Sequence, residues 1–257
     1  MIQDKLPLVS IIMNSYNSEA FLSEAINSVI SQKYENWELI FWDNASTDNS
    51  PKIVKSFNDS RIKYFRSLQT DRIYLARNLA IEKCSGQYTC FLDCDDIWLA
   101  NSIIDRINAF NQETRIVYGG FEIIDEKGNK SGKVVNPKKA FNTFDQLLFR
   151  NTISIGAVMI ETKLLKKYLF DSNYHLMGDF ELWFRLSLSH KFKNLNKIVE
   201  LSRRHPKNIS SVSKSSLWIS ERRRFYRNFF KHSSIIKHPE IIFYILFSEI
   251  QALIFKK

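Results

Sequence analysis

The stretch YTCFLDCDDIWL, residues 88–99, joins a mostly apolar run to three carboxylates. The run YTCFLD has the composition of a buried strand, and Asp93, Asp95 and Asp96 lie within four residues at its end. Carboxylates this close repel one another unless a cation compensates their charge. Because carboxylate oxygens are the ligands that Mg²⁺ and Mn²⁺ prefer, this stretch predicts a divalent-cation site at the end of a strand.

The first hundred residues alternate β-rich runs with amphipathic helical patterns. The predicted strands cover 8–13, 38–43, 62–66 and 88–93, and the predicted helices cover 21–32, 50–57 and 76–84. This alternation predicts an α/β fold with a mostly parallel central sheet and helices on both faces. Ligands bind such sheets at the carboxyl ends of the strands, where Asp43 and Asp93 both fall.

The alternation loosens after Trp98. The sequence predicts a helix over 101–110, strands over 116–124 and 155–161 with a turn at 125–130 between them, a helix beginning at Asp179, and a last strand over 193–201. Because no linker or sharp boundary precedes about residue 212, we predict one domain over 1–211, with halves at 1–100 and 101–211. A helical, basic C-terminal extension then covers 212–257.

The composition is that of a folded protein, with 44% hydrophobic residues in a chain of 257. The N-terminus lacks the basic region and long apolar region of a signal peptide, so we expect a cytoplasmic protein, one that could also lie on the inner face of the membrane. Cys84, Cys90 and Cys94 fit no zinc-binding spacing and are interpreted as small buried residues.

Most of the net charge of +10 lies near the C-terminus, where residues 203–257 contain twelve Lys and Arg against three Asp and Glu. Aromatic residues accompany these charges, and the apolar run IIFYILFS is too short to span a bilayer. The pattern is typical of docking on an anionic membrane surface. It also fits a helix packed on the protein's own domain or on a second subunit, so the oligomeric state stays open. The many large aliphatic residues argue against binding to nucleic acid.

Four segments of the chain occur together in one order: VSIIMNSYN at 9–17, FLSEAINSVISQKYENWELIFWDNASTDNS at 21–50, ARNLAIEKCSGQYTCFLDCDDIWL at 76–99 and GDFELWFRL at 178–186. Together they resemble the family 2 glycosyltransferases over roughly residues 7–211. The resemblance implies the A-type, nucleotide-binding glycosyltransferase fold, in a catalytic domain over 1–211 with a nucleotide-binding half at 1–100 and an acceptor-binding half at 101–211. It also implies an enzyme with Mn²⁺ or Mg²⁺ as cofactor that moves a sugar from a nucleotide-diphosphate donor with inversion of configuration.

The resemblance assigns the nucleotide site by position. Ser15, Tyr16 and Asn17 match the loop after the first strand, where the base and ribose of the nucleotide lie, and the Tyr16 ring can stack on the base. An ordinary loop aromatic is the alternative for Tyr16. Asp43 would accept a hydrogen bond from a uracil-type imide N–H, which makes a uridine-diphosphate sugar the expected donor.

Asp93 and Asp95 match the family's D-x-D motif; Asp95 is expected to be the direct metal ligand, with Asp93 at the nucleotide and the metal and Asp96 in support. His205, in RRHPKNIS, resembles a later family segment and would complete the metal shell or contact the diphosphate. The basic residues of that segment would favour a diphosphate leaving group. Arg77 would pair with a phosphate or with a site carboxylate, or form a buried structural ion pair.

Asp179 matches the family's general base, which takes the proton from the acceptor hydroxyl. The family usually has Glu-Asp here, whereas this chain has Gly178 before the base. Glu181 and Trp183 match the segment that follows and are expected to support the base. A helix N-cap is the alternative role for Asp179, and the two roles can coexist.

These parts predict an inverting glycosyltransferase that acts on a hydroxyl of a glycan or a lipid-linked acceptor, in surface-polysaccharide or glycolipid biosynthesis by analogy with the family. The alternative is a non-catalytic member that binds a nucleotide or glycan and acts as an assembly partner. The presence of all four candidate carboxylates favours the enzyme: Asp43, Asp93, Asp95 and Asp179.

Overall fold

The computed structural model describes residues 6–136, 147 and 151–232. Its first half follows the predicted alternation of strands and helices. In chain order the elements are β1 (Val9–Ser15), α1 (Leu22–Ile30), β2 (Trp37–Asp43), α2 (Ser50–Ser56), β3 (Ile62–Arg66), α3 (Ile73–Glu82) and β4 (Tyr88–Phe91). The strands β3, β2, β1 and β4 are neighbours in that order and are parallel, so the predicted parallel arrangement of this half is confirmed.

The second half completes a mixed sheet. Its elements are β5 (Ile97–Trp98), α4 (Ser102–Ile107), β6 (Ile116–Ile124), β7 (Lys130–Val135), β8 (Val158–Glu161), α5 (Thr162–Lys167), α6 (Gly178–Ser187), β9 (Phe192–Arg203), α7 (Ile209–Val212) and α8 (Ser215–His232). Strand β8 is antiparallel to β4 and β6, β9 is parallel to β6, and β5 is antiparallel to β9. Over the described residues the sheet order is β3-β2-β1-β4-β8-β6-β9-β5, with β7 paired to β6. The α/β class is as predicted, and the antiparallel pairs enter only after β4.

The strand predicted over 155–161 begins only at Val158, because a 3-10 turn covers Ile155–Ala157. The Gly156 carbonyl accepts hydrogen bonds from Trp98 Nε1 at 2.8 Å and from Arg106 Nη1 at 3.2 Å. A carbonyl that two side chains hold is not available to a neighbouring strand. The ladder of β8 therefore starts after this turn.

The sheet carries an apolar core on each face. One core packs α1, α2 and α4 against alternate residues of β1 and β2, such as Ile11 and Leu39. The other packs α3, α5 and α6 against the residues that point the opposite way, such as Ile12 and Ile40. Near-continuous apolar runs in β1 and β2 are what a sheet buried on both faces requires. The carboxyl edge of the strands is left for polar residues.

The described part of the predicted C-terminal extension packs on the domain that precedes it. In α8, Phe225, Tyr226 and Phe229 are buried in the same core as Phe180 and Phe184 of α6. This is the packing that the sequence left as one alternative. The boundary after residue 211 stays a prediction, and residues 233–257, on which much of the membrane prediction rests, lie outside the described residues. Within 6–136 and 151–232, no helix is long and apolar enough to cross a membrane.

Candidate active site

The carboxyl ends of β1 and β4 open into a cavity of about 1160 Å³. Helix α3, the start of α6 and the segment after β9 complete its walls, so both halves of the sheet contribute to it. The predicted site residues that line it are Ser15, Tyr16, Asn17, Arg77, Asp93, Asp95, Asp96, Asp179 and His205. The others, Asp43, Glu181 and Trp183, are not part of its lining.

Arg77 is buried beside the cavity and pairs with Asp93. Its Nη2 atom lies 2.7 Å from Asp93 Oδ1. Only 4% of Arg77 is exposed, whereas 38% of the Asp93 side chain is exposed. Of the interactions considered for Arg77, the structure therefore shows an ion pair with a site carboxylate. The guanidinium neutralises Asp93 and leaves part of that carboxylate at the cavity surface.

Asp95 lies in the turn between β4 and β5, and its side chain forms hydrogen bonds with the segment after β9. Its Oδ2 atom is 3.0 Å from His205 Nε2 and 2.9 Å from Asn208 Nδ2. Burial raises the pKa of Asp95 and the charge of Asp93 adds to this, while the hydrogen bond with His205 opposes it. Sequence reasoning missed Asn208, although it lies within the quoted segment RRHPKNIS.

The residues around Asp95 fit part of a divalent-cation shell. Among the described residues, no group of three or more His, Cys, Asp or Glu side chains is arranged to hold a metal ion. Asp95 and His205 nevertheless bring a carboxylate and an imidazole together in the cavity wall. Mg²⁺ in particular commonly takes one or two carboxylates and draws its other ligands from substrate phosphates and water. The donor set therefore fits a cation that binds together with a diphosphate.

The three cysteines lie outside this donor set. Cys84, Cys90 and Cys94 are free and buried. Burial raises the pKa of the Cys84 thiol to about 12 and that of Cys90 to about 11, so neither provides a thiolate near neutral pH. Burial also raises the pKa of Cys94, whose Sγ donates to the Asn14 carbonyl. Their interpretation as small buried residues is confirmed.

A buried carboxyl group next to Asp95 connects the Asp95 turn to β9. Asp96 and Glu200 of β9 are both buried. Burial raises the pKa of Asp96, and the charge of Glu200 adds to this shift; burial also raises the pKa of Glu200, to about 7. Asp96 Oδ1 also accepts the Arg203 N–H at 2.7 Å. The supporting role of Asp96 at the metal site stays a prediction, and Glu200 lies in an ordinary strand pattern that carries no sequence signal.

Arg203, at the end of β9, holds the same turn. It is only 1% exposed, its Nε donates to the Asp95 carbonyl at 2.9 Å, and its guanidinium forms an ion pair with Glu24. The sequence placed the basic residues of this segment at the diphosphate. The structure corrects this for Arg203, whose guanidinium is engaged by protein groups. Arg204 and Lys207 are exposed and line the cavity.

Asp179 lies in the first turn of α6, in the cavity wall. Its Oδ1 accepts a hydrogen bond from the Tyr74 hydroxyl at 3.2 Å, and its Oδ2 accepts one from Asn151 Nδ2 at 3.3 Å. Burial raises the pKa of Asp179, and the charge of Arg77 opposes this shift. The N-cap position of α6 belongs to Met177, which makes no side-chain cap hydrogen bond. The N-cap alternative for Asp179 is therefore wrong.

The glycine before Asp179 has a steric cause. A Cβ atom at position 178 would lie 2.6 Å from two ring carbons of Tyr74, closer than such atoms approach in proteins. Tyr74 is buried, and its hydroxyl also donates to the Leu176 carbonyl at 3.2 Å. Where the family usually has a glutamate, the Tyr74 ring leaves room for Gly178, and the Tyr74 hydroxyl contacts Asp179. The sequence marked the departure but not its partner.

The loop after β1 provides a polar wall of the cavity. Asn17 has a positive φ of 51°, and its Oδ1 accepts the Thr47 N–H at 2.8 Å, which ties this loop to the one after β2. The Tyr16 ring is accessible, since the residue is 52% exposed. Ser15 Oγ and both amide atoms of Asn14 are buried without a hydrogen-bond partner among the described residues. Unpaired polar atoms in a cavity wall cost free energy unless a ligand or water satisfies them.

Asp43 lies below this wall rather than in it. The residue is fully buried, and its Oδ1 accepts the Ser46 N–H at 2.8 Å. Its Oδ2 accepts hydrogen bonds from the Tyr64 hydroxyl and from Arg66 Nη1. Its neighbour Asn44 does line the cavity. Protein groups engage both carboxylate oxygens. The hydrogen bond from a uracil base to Asp43 stays a prediction.

Glu181 and Trp183 belong to the body of α6 rather than to the cavity. Glu181 pairs with Arg185 one turn along the helix, at 2.8 Å between Oε1 and Nε. Trp183 is fully buried and meets the Phe170 ring edge to face. Both side chains therefore stabilise the helix that carries Asp179 and do not reach a ligand.

The fold is shared with known glycosyltransferases. The chain is similar to S. aureus TarS in complex with UDP-GlcNAc, with a TM-score of 0.72 over 95% of this chain and 72% of that one, at 16% identity. It is also similar to the mannosyltransferase PcManGT from Pyrobaculum calidifontis in complex with GDP-Man and Mn²⁺, with a TM-score of 0.64 over 96% and 70% of the two chains, at 15% identity. The fold is therefore that of the A-type glycosyltransferases, as predicted.

The family follows from the sequence comparisons. The profile described as "Glycosyl transferase family 2" matches residues 10–172. The chain is 36% identical over 190 residues to the Escherichia coli UDP-Glc:alpha-D-GlcNAc-diphosphoundecaprenol beta-1,3-glucosyltransferase WfgD, covering 74% of this chain and 73% of that protein. It is 28% identical over 158 residues to the putative teichuronic acid biosynthesis glycosyltransferase TuaG of Bacillus subtilis, covering 60% and 62%. The chain belongs to glycosyl transferase family 2 and is a glycosyltransferase.

Gly178→Ala is expected to force the Tyr74 ring aside, because the new methyl group meets ring carbons rather than a flexible chain end. We expect a loss of about 1–3 kcal/mol in the free energy of unfolding, as for other overpacked sites, and a lower kcat as the Tyr74 hydroxyl leaves Asp179. Thermal melting and the rate of sugar transfer measure the two effects. Ser187→Ala, at the other end of α6, is the control. Wild-type values for Gly178→Ala would contradict the contact.

Proposed function

We propose that this glycosyltransferase moves a sugar from a uridine-diphosphate donor to a hydroxyl of a glycan or lipid-linked acceptor, with inversion of configuration, in the assembly of a surface polysaccharide. One observation carries the proposal: Asp95 with His205, and Asp179, line the same cavity. One cavity therefore offers a site for the leaving diphosphate of the donor and a carboxylate that can take the proton of the acceptor hydroxyl. The names of the relatives from E. coli and B. subtilis support the donor and the pathway.

The donor would lie along the polar wall after β1. The accessible ring of Tyr16 offers a stacking surface for the base. Asn14 and Ser15 line the same wall, and their unpaired polar atoms are buried just behind its surface. Arg204 and Lys207, both exposed at the same cavity, add positive charge for a diphosphate.

Asp95 and His205 would hold a Mn²⁺ or Mg²⁺ ion, which when bound supplies Lewis-acid stabilisation of the negative charge on the leaving diphosphate. Protein groups also hold Asp95 in place. Asn208 holds Oδ2 of Asp95 at 2.9 Å, and Arg203 holds the backbone of the same residue. Arg77 neutralises Asp93, which lowers the repulsion between the two carboxylates of the motif.

Asp179 would accept the proton of the acceptor hydroxyl while the hydroxyl oxygen attacks the anomeric carbon and the bond from that carbon to the diphosphate breaks. A single displacement of this kind inverts the configuration at the anomeric carbon. Tyr74 and Asn151 each donate to one oxygen of the carboxylate and so hold its orientation. Because burial raises the pKa of Asp179, its carboxylate is a stronger base than an exposed aspartate.

A thermal-shift experiment tests the donor class. UDP-glucose and UDP-GlcNAc are expected to raise the melting temperature in the presence of Mn²⁺, since a ligand at a hundred times its Kd stabilises the native state by about 2.7 kcal/mol. GDP-mannose is the control for the identity of the nucleobase. Each measurement with a nucleotide sugar is repeated with EDTA in place of Mn²⁺. The absence of a shift with every UDP sugar, with or without the metal, would refute the proposed donor.

A further inference from the structure

A buried glutamate of α8 holds the backbone that leads into the helix of Asp179. Glu221 is 4% exposed. Its two carboxylate oxygens accept the backbone N–H groups of three consecutive residues, from His175, from Leu176 at 2.9 Å and from Met177 at 2.9 Å. These residues immediately precede Gly178, where α6 begins.

Three N–H groups at this position have no partners within the helix. The first N–H groups of a helix and those just before it lie ahead of the carbonyls that would accept them, so a side chain or water must do so. A single ionised carboxylate meets all three, with charge-assisted hydrogen bonds that are stronger than neutral ones. The carboxylate also lies at the positive end of the α6 dipole, where a negative charge is favourable.

The same backbone is held from its other side. The single proton of the Tyr74 hydroxyl is shared between two acceptors, the Leu176 carbonyl and Asp179 Oδ1, each at 3.2 Å from the hydroxyl oxygen. Leu176 is therefore fixed at its N–H by Glu221 and at its carbonyl by Tyr74. The position of Asp179 thus depends on two contacts from elements that are distant in the sequence, since Glu221 lies 44 residues beyond Met177.

Apolar contacts fix α8 firmly enough for this role. The Phe225 ring lies 4.7 Å from that of Phe180 and 4.9 Å from that of Phe184, between ring centroids, and the Phe229 ring lies 4.8 Å from that of Phe184. Arg224 Nη1 also donates to the carbonyl of Asn173 at 2.7 Å. The side of α8 that carries Glu221 is therefore locked onto α6 and the loop before it. The first turns of α8 reach the cavity itself through Leu217 and Trp218.

We propose that Glu221 is a positioning residue of the sugar-transfer reaction, which acts through the backbone of 175–177 to hold Asp179 at the acceptor hydroxyl. This inference rests on the proposed role of Asp179 as general base. It makes the described part of the C-terminal region, 215–232, a component of the active site rather than an appendage. A displacement of about 1 Å at a reacting group can lower a rate by about a hundredfold.

Glu221→Gln tests the proposal in the full-length protein. The amide keeps the size of the side chain but turns N–H donors toward backbone N–H donors. We expect kcat to fall by about tenfold to a hundredfold. The KM for the donor and the affinity for UDP, measured by calorimetry, are expected to stay at their wild-type values, because Glu221 is not part of the cavity lining. Glu82→Gln makes the same chemical change at an exposed residue of α3 and is expected to match the wild type.

Glu221→Asp keeps the charge and shortens the side chain, so its kcat and its melting temperature are both expected to lie between those of the wild type and of Glu221→Gln. This variant decides the question if the Gln variant does not fold. In both variants, kcat and UDP affinity could fall by the same factor while the melting temperature also falls. That result would overturn the proposal in favour of a purely structural role. Wild-type kcat in Glu221→Gln would overturn it while leaving the proposed function intact. No transfer by the wild-type protein would overturn both.

Discussion

Asp179→Asn is expected to lower kcat by about 10²- to 10⁴-fold, the usual contribution of a general base, while UDP affinity stays unchanged. The substitution keeps the size of the side chain but replaces one acceptor oxygen with an NH2 group, which removes the carboxylate that accepts the proton. Transfer to an acceptor and UDP binding by calorimetry measure the two quantities. Asp105→Asn is the matched control, because Asp105 forms a surface ion pair with Lys197 and such pairs contribute little to stability.

The pH dependence of kcat provides a second reading of the same prediction. Asp179 must be ionised to accept a proton, and burial raises its pKa above the ordinary value for an aspartate. The rate is therefore expected to fall as the pH falls through that raised pKa, and to be constant above it until another group titrates. Asp179→Asn should lose this acidic limb. An active Asp179→Asn enzyme that keeps the limb would show that another group is the base.

Asp95→Ala is expected to remove metal-assisted binding of the donor. Replacement of second-shell partners at metal sites commonly lowers metal affinity by 10–100-fold, and loss of a direct ligand should lower it by at least about 100-fold. In the wild type, Mn²⁺ should raise the affinity for UDP; in Asp95→Ala it should raise it little or not at all. Calorimetry of UDP with Mn²⁺ and with EDTA measures the difference.

The control for this prediction is again Asp105→Asn, which should respond to Mn²⁺ as the wild type does. His205 and Asn208 lose their shared partner in Asp95→Ala, so the melting temperature is measured alongside. Equal UDP affinities with and without Mn²⁺ in the wild type would refute the metal assignment. If Mn²⁺ raises the UDP affinity equally in the wild type and in Asp95→Ala, a residue other than Asp95 binds the metal.

Much of the structure of residues 1–100 could be predicted because the sequence signals in this half are local. Apolar periodicity distinguishes strands from helices within a few residues, and parallel strands place their carboxyl ends on one edge. The D-x-D residues therefore came to the cavity as expected, with Asp93 and Asp95 both in its wall. The same reasoning placed Asp43 correctly at the end of β2 but did not predict that its carboxylate contacts Tyr64 and Arg66. The position of a residue at the end of a strand does not determine which groups its side chain contacts.

The partners of the site residues carried no sequence signal. Tyr74 looks like an ordinary apolar position of α3, yet it contacts Asp179, 105 residues away. Glu200 and Arg203 lie in a plain strand pattern, yet the charge of Glu200 raises the pKa of Asp96, and Arg203 donates to the Asp95 carbonyl. Each of these contacts depends on how two distant elements pack, and no local pattern records that.

The sequence by itself therefore determined the family, the alternation of strands and helices, and the carboxylates at the strand ends, because these are properties of short segments. Only the tertiary structure decided how those carboxylates are held. It put Arg77 on Asp93, His205 and Asn208 on Asp95, and the Tyr74 ring in the space that makes position 178 a glycine. It also brought α8 onto α6, so that Glu221 meets three backbone N–H groups before Asp179. Burial then raises the pKa of Asp95 and Asp179, an effect that exists only once the chain has folded around them.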